Sequence, residues 1–198
     1  QGVYTPGNSR ASTFALKNGV ALYGGFAGTE TARAQRNLDP LTNNTVLSGD
    51  IGTVGAVADN TYSVVSAFSV TGSAVLDGFK VTAGNSNGGT GHGGGVYIQD
   101  GSPSFVNLII SNNTASANGG GMYVLSIASL RVNYSSPTLT NVIISNNTAA
   151  RGGGLYTQNS QPILIDVTFS GNIANGGAGG GMNNQLLNEA VDEDSIPF

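Results

Sequence analysis

Apolar residues recur with a fixed spacing in three stretches of the second half of the chain, and polar residues separate most of them. Alternation with a period of two is typical of a β-strand that buries one face. The pattern therefore predicts three equivalent strands. Their inward-facing residues are expected to be Phe105, Leu108 and Ile110, then Leu139, Val142 and Ile144, then Leu164, Val167 and Phe169.

In each strand the first two apolar residues are three positions apart instead of two. An extra residue of this kind is typical of a bend or bulge. It is predicted at Asn107, Asn141 and Asp166.

Polar and small residues follow each strand at equivalent positions. Asn113, Asn147 and Asn172 are predicted to stack as an internal asparagine ladder. Glycine triplets at 93–95, 119–121 and 152–154 introduce each new strand, and an incomplete fourth copy begins at 179. Successive triplets are 26, 33 and 27 residues apart. Repeats at such intervals indicate a solenoid.

Weaker versions of the same pattern occur at 76–84, 45–50 and 18–26. Phe79 and Val81 are the expected inward pair of the first of these. A helix signal is limited to 31–38 and a short turn near 185–190. The predicted fold is all-β, a single right-handed parallel β-helix of about six coils over 1–185. A non-repeat acidic tail is predicted over 186–198.

Composition narrows the function classes. Cysteine is absent, which excludes disulfides and thiolate metal sites, and charged residues make up only 9%. Four acids, Glu189, Asp192, Glu193 and Asp194, lie in the tail, and the other seven balance seven Lys and Arg. This neutral body predicts no nucleic-acid partner. Without 18 consecutive apolar residues, the segment is expected not to insert into a membrane.

The repeats resemble those of a known family. The segments 110–115, 144–149 and 169–174, each paired with a glycine triplet, are similar to the FxxN and GGA-type repeats of chlamydial polymorphic outer-membrane proteins. More broadly they resemble right-handed β-helix repeats of bacterial surface and secreted proteins. The resemblance implies an extracellular or cell-surface location and no particular activity. Both ends depart from it, which favours a fragment or processed subunit.

The tyrosines Tyr97, Tyr123 and Tyr156 occupy one position in successive repeats, and alternation predicts that they point outward. A stacked array could bind sugar rings, whereas the favoured alternative is a purely structural ladder.

A second candidate is the segment 124–136, which includes Arg131 and Tyr134. It holds eight extra residues, because Gly121 and Pro137 are sixteen apart where the neighbouring repeats have eight. Insertions in repeat arrays often carry binding contacts. A neutral drifted loop is an equally weighted alternative.

Catalytic and metal sites are not expected. His92 is the single histidine and is predicted to be solvent-exposed. Asp50, Asp59 and Asp100 lack the dense spacing of a Ca²⁺ loop, and no cofactor is expected. Carboxylates do not cluster as β-helix lyases or hydrolases require.

The sequence therefore favours an extracellular structural or adhesive module, not an enzyme, that self-associates head-to-tail through open β-helix ends or contacts a surface glycan or protein. The alternative is a carbohydrate-binding or polysaccharide-active β-helix module.

Overall fold

The computed structural model describes residues 2–39, 41–42, 45–127 and 135–186. They form short β-strands and two single-turn 3-10 helices, Arg33–Gln35 and Val57–Asp59. The strands are β1 (Gly2–Tyr4), β2 (Phe14–Ala15), β3 (Ala21–Tyr23), β4 (Thr45–Ser48), β5 (Val65–Phe68), β6 (Val75–Asp77), β7 (Lys80–Thr82), β8 (Asn85–Ser86), β9 (Val96–Gln99), β10 (Ser104–Ser111), β11 (Thr114–Ala115), β12 (Met122–Leu125), β13 (Thr138–Ser145), β14 (Thr148–Arg151), β15 (Leu155–Gln158), β16 (Ile163–Ser170), β17 (Ile173–Ala178) and β18 (Met182–Gln185).

These strands pair in parallel and form three sheets. The first sheet has the order β1-β4-β7-β10-β13-β16, and β3 joins it through β6, which pairs with β10. The second has the order β2-β5-β9-β12-β15-β18, and the third has the order β8-β11-β14-β17. The strands nearest in space come from successive repeats. The predicted all-β class is confirmed, and the parallel sheets are consistent with a parallel β-helix.

The predicted register of the repeats is confirmed residue by residue. Phe105 pairs with Leu139, which pairs in turn with Leu164 on β16. The weaker copy at 76–84 also aligns as expected, because Val81 pairs with Ile110. The inward positions of β10 and β13 are fully buried, so they form a continuous apolar core along the stack.

The predicted bends are confirmed as well. Asn107, Asn141 and Asp166 have φ angles of 51°, 53° and 52°. This left-handed conformation suits Asn and Asp more than other non-glycine residues. The pairing skips the bend residue and resumes in the same register, so that both halves of each long strand keep their inward positions.

The asparagine ladder forms inside the stack. Asn113 Nδ2 donates to Asn147 Oδ1, and Asn147 Nδ2 donates to Asn172 Oδ1, both at 3.0 Å. The same two oxygens also accept from the backbone N–H groups of Asn113 and Asn147. Asn147 is fully buried, so these bonds satisfy groups that water cannot reach.

Glycine is needed where neighbouring repeats approach each other closely. A Cβ added to Gly120 would lie 2.5 Å from the carbonyl oxygen of Thr148 and 2.6 Å from that of Gly153. Both atoms belong to backbone of the following repeat, so the triplet sets how closely the repeats stack.

The last strands leave core positions uncovered. Leu164 on β16 pairs with the inward-facing, fully buried Leu139 but is itself 37% exposed. At the opposite end, Leu22 pairs with the fully buried Leu76 and is 36% exposed, and Tyr4 is 49% exposed. Within the described residues, apolar inward-facing side chains therefore meet solvent at both ends of the sheets.

Candidate functional site

The three repeat tyrosines form a continuous stack on the second sheet. Tyr97 and Tyr123 have ring centroids 5.4 Å apart, and Tyr123 and Tyr156 are 5.6 Å apart, with interplanar angles of 23° and 22°. Their neighbours on β9, Val96 and Ile98, belong to the core. The tyrosines thus lie on the outer side of the sheet, as the alternation predicted.

The rings are nevertheless not all available to a ligand. Tyr123 and Tyr156 are only 2% and 1% exposed, whereas Tyr97 is partly exposed. The hydroxyl of Tyr123 donates to Gln158 Oε1 at 3.0 Å, and that of Tyr156 donates to Gln185. These features fit the structural alternative for two of the three rings. Ligand binding by the array stays a prediction.

His92 packs on this stack instead of extending into solvent. Its ring lies 4.4 Å from the ring of Tyr123 with an interplanar angle of 10°. The expectation of a solvent-exposed histidine is wrong, because this stacking half-buries the ring. Its Nδ1 is buried and has no hydrogen-bond partner in the described part of the chain. Burial lowers the pKa of His92, since desolvation disfavours the imidazolium.

The stack of tyrosines ends at β5. Ser66 is the register partner of Tyr97, and Ala15 is in turn the partner of Ser66. These small side chains do not continue the stack. A cleft of about 220 Å³ lies there, lined by Ser66, Phe68, Tyr97, Ser86 of β8 and residues of three loops. The cleft thus occupies the position at which a further aromatic ring would extend the tyrosine stack.

Aromatic side chains and one cation line this cleft. Phe68 meets Tyr97 edge-to-face, with centroids 5.4 Å apart at 79°. The guanidinium of Arg10 lies 4.3 Å from the ring centre of Tyr62. Arg10 also donates to the Asn60 and Asn85 carbonyl oxygens and to Asn87 Oδ1, at 2.7, 3.0 and 2.6 Å. All of these acceptors are uncharged.

Sequence reasoning found Tyr97 but missed its partners in the cleft. Arg10 and Tyr62 lie in irregular segments outside the repeats, and no repeat signal joins them. Ser66 could have been found by extending the repeat alignment to β5. However, the glycine triplet that precedes the later copies of this strand is absent before Val65–Phe68, so the alignment gives no clear signal there.

The other predicted contact residues, Arg131 and Tyr134, lie outside the described residues. The described start of the same segment is anchored, because Ile127 N donates to Asp100 Oδ1 at 2.8 Å. Asp50 and Asp59 likewise accept from backbone N–H groups in the loop 50–59. These three aspartates therefore have local structural contacts.

In the part of the chain that the structure describes, no group of three or more His, Asp or Glu residues could hold a metal ion. No helix in that part is long and apolar enough to cross a membrane.

No protein-family model, curated protein or solved structure matches this chain. The geometry of the described residues therefore carries the functional argument.

The buried tyrosine stack predicts a loss of stability at alkaline pH. Burial, with Tyr97 and Tyr156 nearby, raises the pKa of Tyr123 to about 12, whereas a tyrosine in an unfolded chain titrates near 10. The unfolded state thus ionises first, and stability is lost as pH rises from about 10 towards 12. Denaturant midpoints measured across this range should fall less steeply for Tyr123→Phe.

Tyr4→Phe is the matched control, because Tyr4 is 49% exposed and lies outside the stack. It should retain the alkaline slope of the natural sequence. Equal slopes for the Tyr123→Phe variant and the natural sequence would contradict the prediction.

Proposed function

We propose that the chain is a right-handed parallel β-helix of about six coils that serves as an extracellular structural or adhesive module and self-associates head-to-tail. Two of its sheets run through six successive strands, which supports this coil number. Parallel crossovers are almost always right-handed, which supports the hand. The resemblance to bacterial surface repeats supports the location.

The observation that best supports self-association is the exposure of inward-facing apolar side chains at both ends of the sheets. Leu164 on β16 is 37% exposed, and Leu22 on β3 is 36% exposed. Exposed sheet edges also present backbone N–H and C=O groups that accept further strands. Contact between the two ends covers both apolar surfaces at once.

Sheet geometry favours a second copy of the chain as the partner. The first sheet begins with β1 and β3 and ends with β16, while the second begins with β2 and ends with β18. Stacking one copy on the next places β16 beside β1 and β3, and β18 beside β2. Two sheets then continue in parallel across the contact without a change in strand direction.

A charge at the inward-facing edge should prevent this association. Leu164→Lys places an ammonium where two apolar ends would meet, so the variant should sediment as a monomer over a concentration range in which the natural sequence forms larger species. Sedimentation velocity measures this directly.

Ile165→Lys is the matched control. Ile165 is the next residue on β16, is 46% exposed, and pairs with Thr140 on the opposite face from the core. It should keep the association of the natural sequence. A natural sequence that remains monomeric at all concentrations, or equal effects of both lysines, would refute end-to-end stacking.

A further inference from the structure

The cleft beside Tyr97 has the features of a small-ligand site. One side of the Tyr97 ring stacks on Tyr123, and its other side faces the preceding strand, where the register partner is Ser66. In the rest of the column another aromatic ring fills this position. We propose that the cleft binds a single sugar unit, preferentially one that carries a carboxylate.

The aromatic lining fits one face of a sugar ring. Axial C–H groups of a pyranose form a weakly positive, apolar surface, and the face of an aromatic ring is electron-rich. Tyr97 offers such a face at the end of the column. Phe68, which is 51% exposed, forms a second wall beside it. A flat ring that enters here extends the aromatic stack.

Ser66 provides a hydrogen-bonding group that the described residues leave unused. The residue is 3% exposed, and its buried Oγ has no hydrogen-bond partner among those residues. Buried hydroxyls in folded proteins are normally paired. Phe68 lies two residues further along the same strand face and is half exposed. In the proposed complex its ring rotates to admit a ligand hydroxyl. That hydroxyl would then pair with Oγ.

Arg10 accounts for the preference for a carboxylate. Arg10 lines the cleft, and the three hydrogen bonds of its guanidinium go to uncharged oxygens. Among the described residues, no acidic side chain lines the cleft or forms an ion pair with Arg10. The stacking on Tyr62 fixes the plane of the guanidinium, and a planar guanidinium is well suited to bind a carboxylate.

The size of the cleft limits the ligand to one unit. Its volume of about 220 Å³ is below the range of about 300–1,000 Å³ that is typical of pockets for drug-sized molecules. A longer glycan would therefore place one residue in the cleft and leave its neighbours in solvent. None of its lining residues belongs to β1, β2, β3, β16 or β18, the strands of the end-to-end contacts proposed above.

Nuclear magnetic resonance titrations of the full chain test the proposal. Methyl glucuronide and methyl galacturonide are compared with methyl glucoside and methyl galactoside. The uronides should shift the backbone amide signals of Ser66, Gly88 and Tyr97, which line the cleft. They should bind about tenfold more tightly than the neutral glycosides, as one additional charge-assisted hydrogen bond would provide.

Two variants locate the site. Ser66→Tyr should continue the aromatic column into the cleft, keep the protein folded and abolish the shifts, whereas Ser66→Ala should weaken binding several-fold. Tyr4→Ala removes an exposed tyrosine away from the cleft and should bind as the natural sequence does. Circular dichroism melting confirms that each variant is folded.

Three results would overturn the proposal. The first is an absence of shifts in the cleft with every glycoside. The second is equal affinity for charged and neutral sugars, and the third is unchanged binding by a folded Ser66→Tyr variant.

Discussion

Replacing Asn147 by leucine should lower the free energy of unfolding by about 3–5 kcal/mol. The side chain is fully buried and links two neighbouring repeats. Its Oδ1 accepts from Asn113 N and Nδ2, and its Nδ2 donates to Ile110 O at 2.9 Å. Leucine has a similar shape but leaves several of these groups unpaired, at about 1–3 kcal/mol for each. Urea unfolding followed by circular dichroism measures the loss.

Asn172→Leu is the matched control within the same ladder. Asn172 also accepts from the backbone and side chain of its neighbour, yet it is only partly buried on the last described turn of the ladder. Water can therefore replace some of the hydrogen bonds that leucine removes. The decrease in the free energy of unfolding should be clearly smaller than for Asn147→Leu. Equal losses for both variants would show that burial does not set the strength of the ladder.

Replacing Gly120 by alanine should destabilise the chain by about 3 kcal/mol or more, at the upper end of typical overpacking costs. The new methyl group would meet the carbonyl oxygens of Thr148 and Gly153 at 2.5 and 2.6 Å. Real Cβ atoms essentially never approach so closely, and both oxygens are fixed by the backbone of the following repeat. The repeats must separate locally, which stretches the hydrogen bonds of the triplet.

Gly72→Ala provides the comparison. The nearest atoms to an added Cβ there, Ser102 O and Ser104 Oγ, are 3.8 Å away, which is ordinary van der Waals contact. Neither Gly120 nor Gly72 has a positive φ, so the pair isolates packing from backbone strain. Gly72→Ala should be neutral or slightly stabilising. A neutral Gly120→Ala variant would contradict the close packing of the triplets.

The repeats made the local structure predictable, because each copy supports the alignment of the others. The inward apolar residues, the bends at Asn107 and its equivalents, and the ladder through Asn147 all follow from such alignment. The burial of Tyr123 does not, because it depends on packing outside the sheet, including the ring of His92.

The cleft was not predictable for a related reason. It forms where the repeat pattern weakens, at Ser66, and where Arg10 meets Tyr62 from 52 positions away in the chain. Periodicity contains no information about such contacts between irregular segments. Residue identity alone also could not distinguish the accessible Tyr97 from its two buried equivalents.

The parallel direction of all the strands has a consequence for symmetry. An end-to-end contact that preserves this direction joins two different surfaces, so it is heterologous and has no two-fold axis. Such a contact does not close on itself after two copies, because each addition leaves a new free end. Association through the ends should therefore give open-ended polymers with a broad distribution of lengths, and a closed dimer is not among its products.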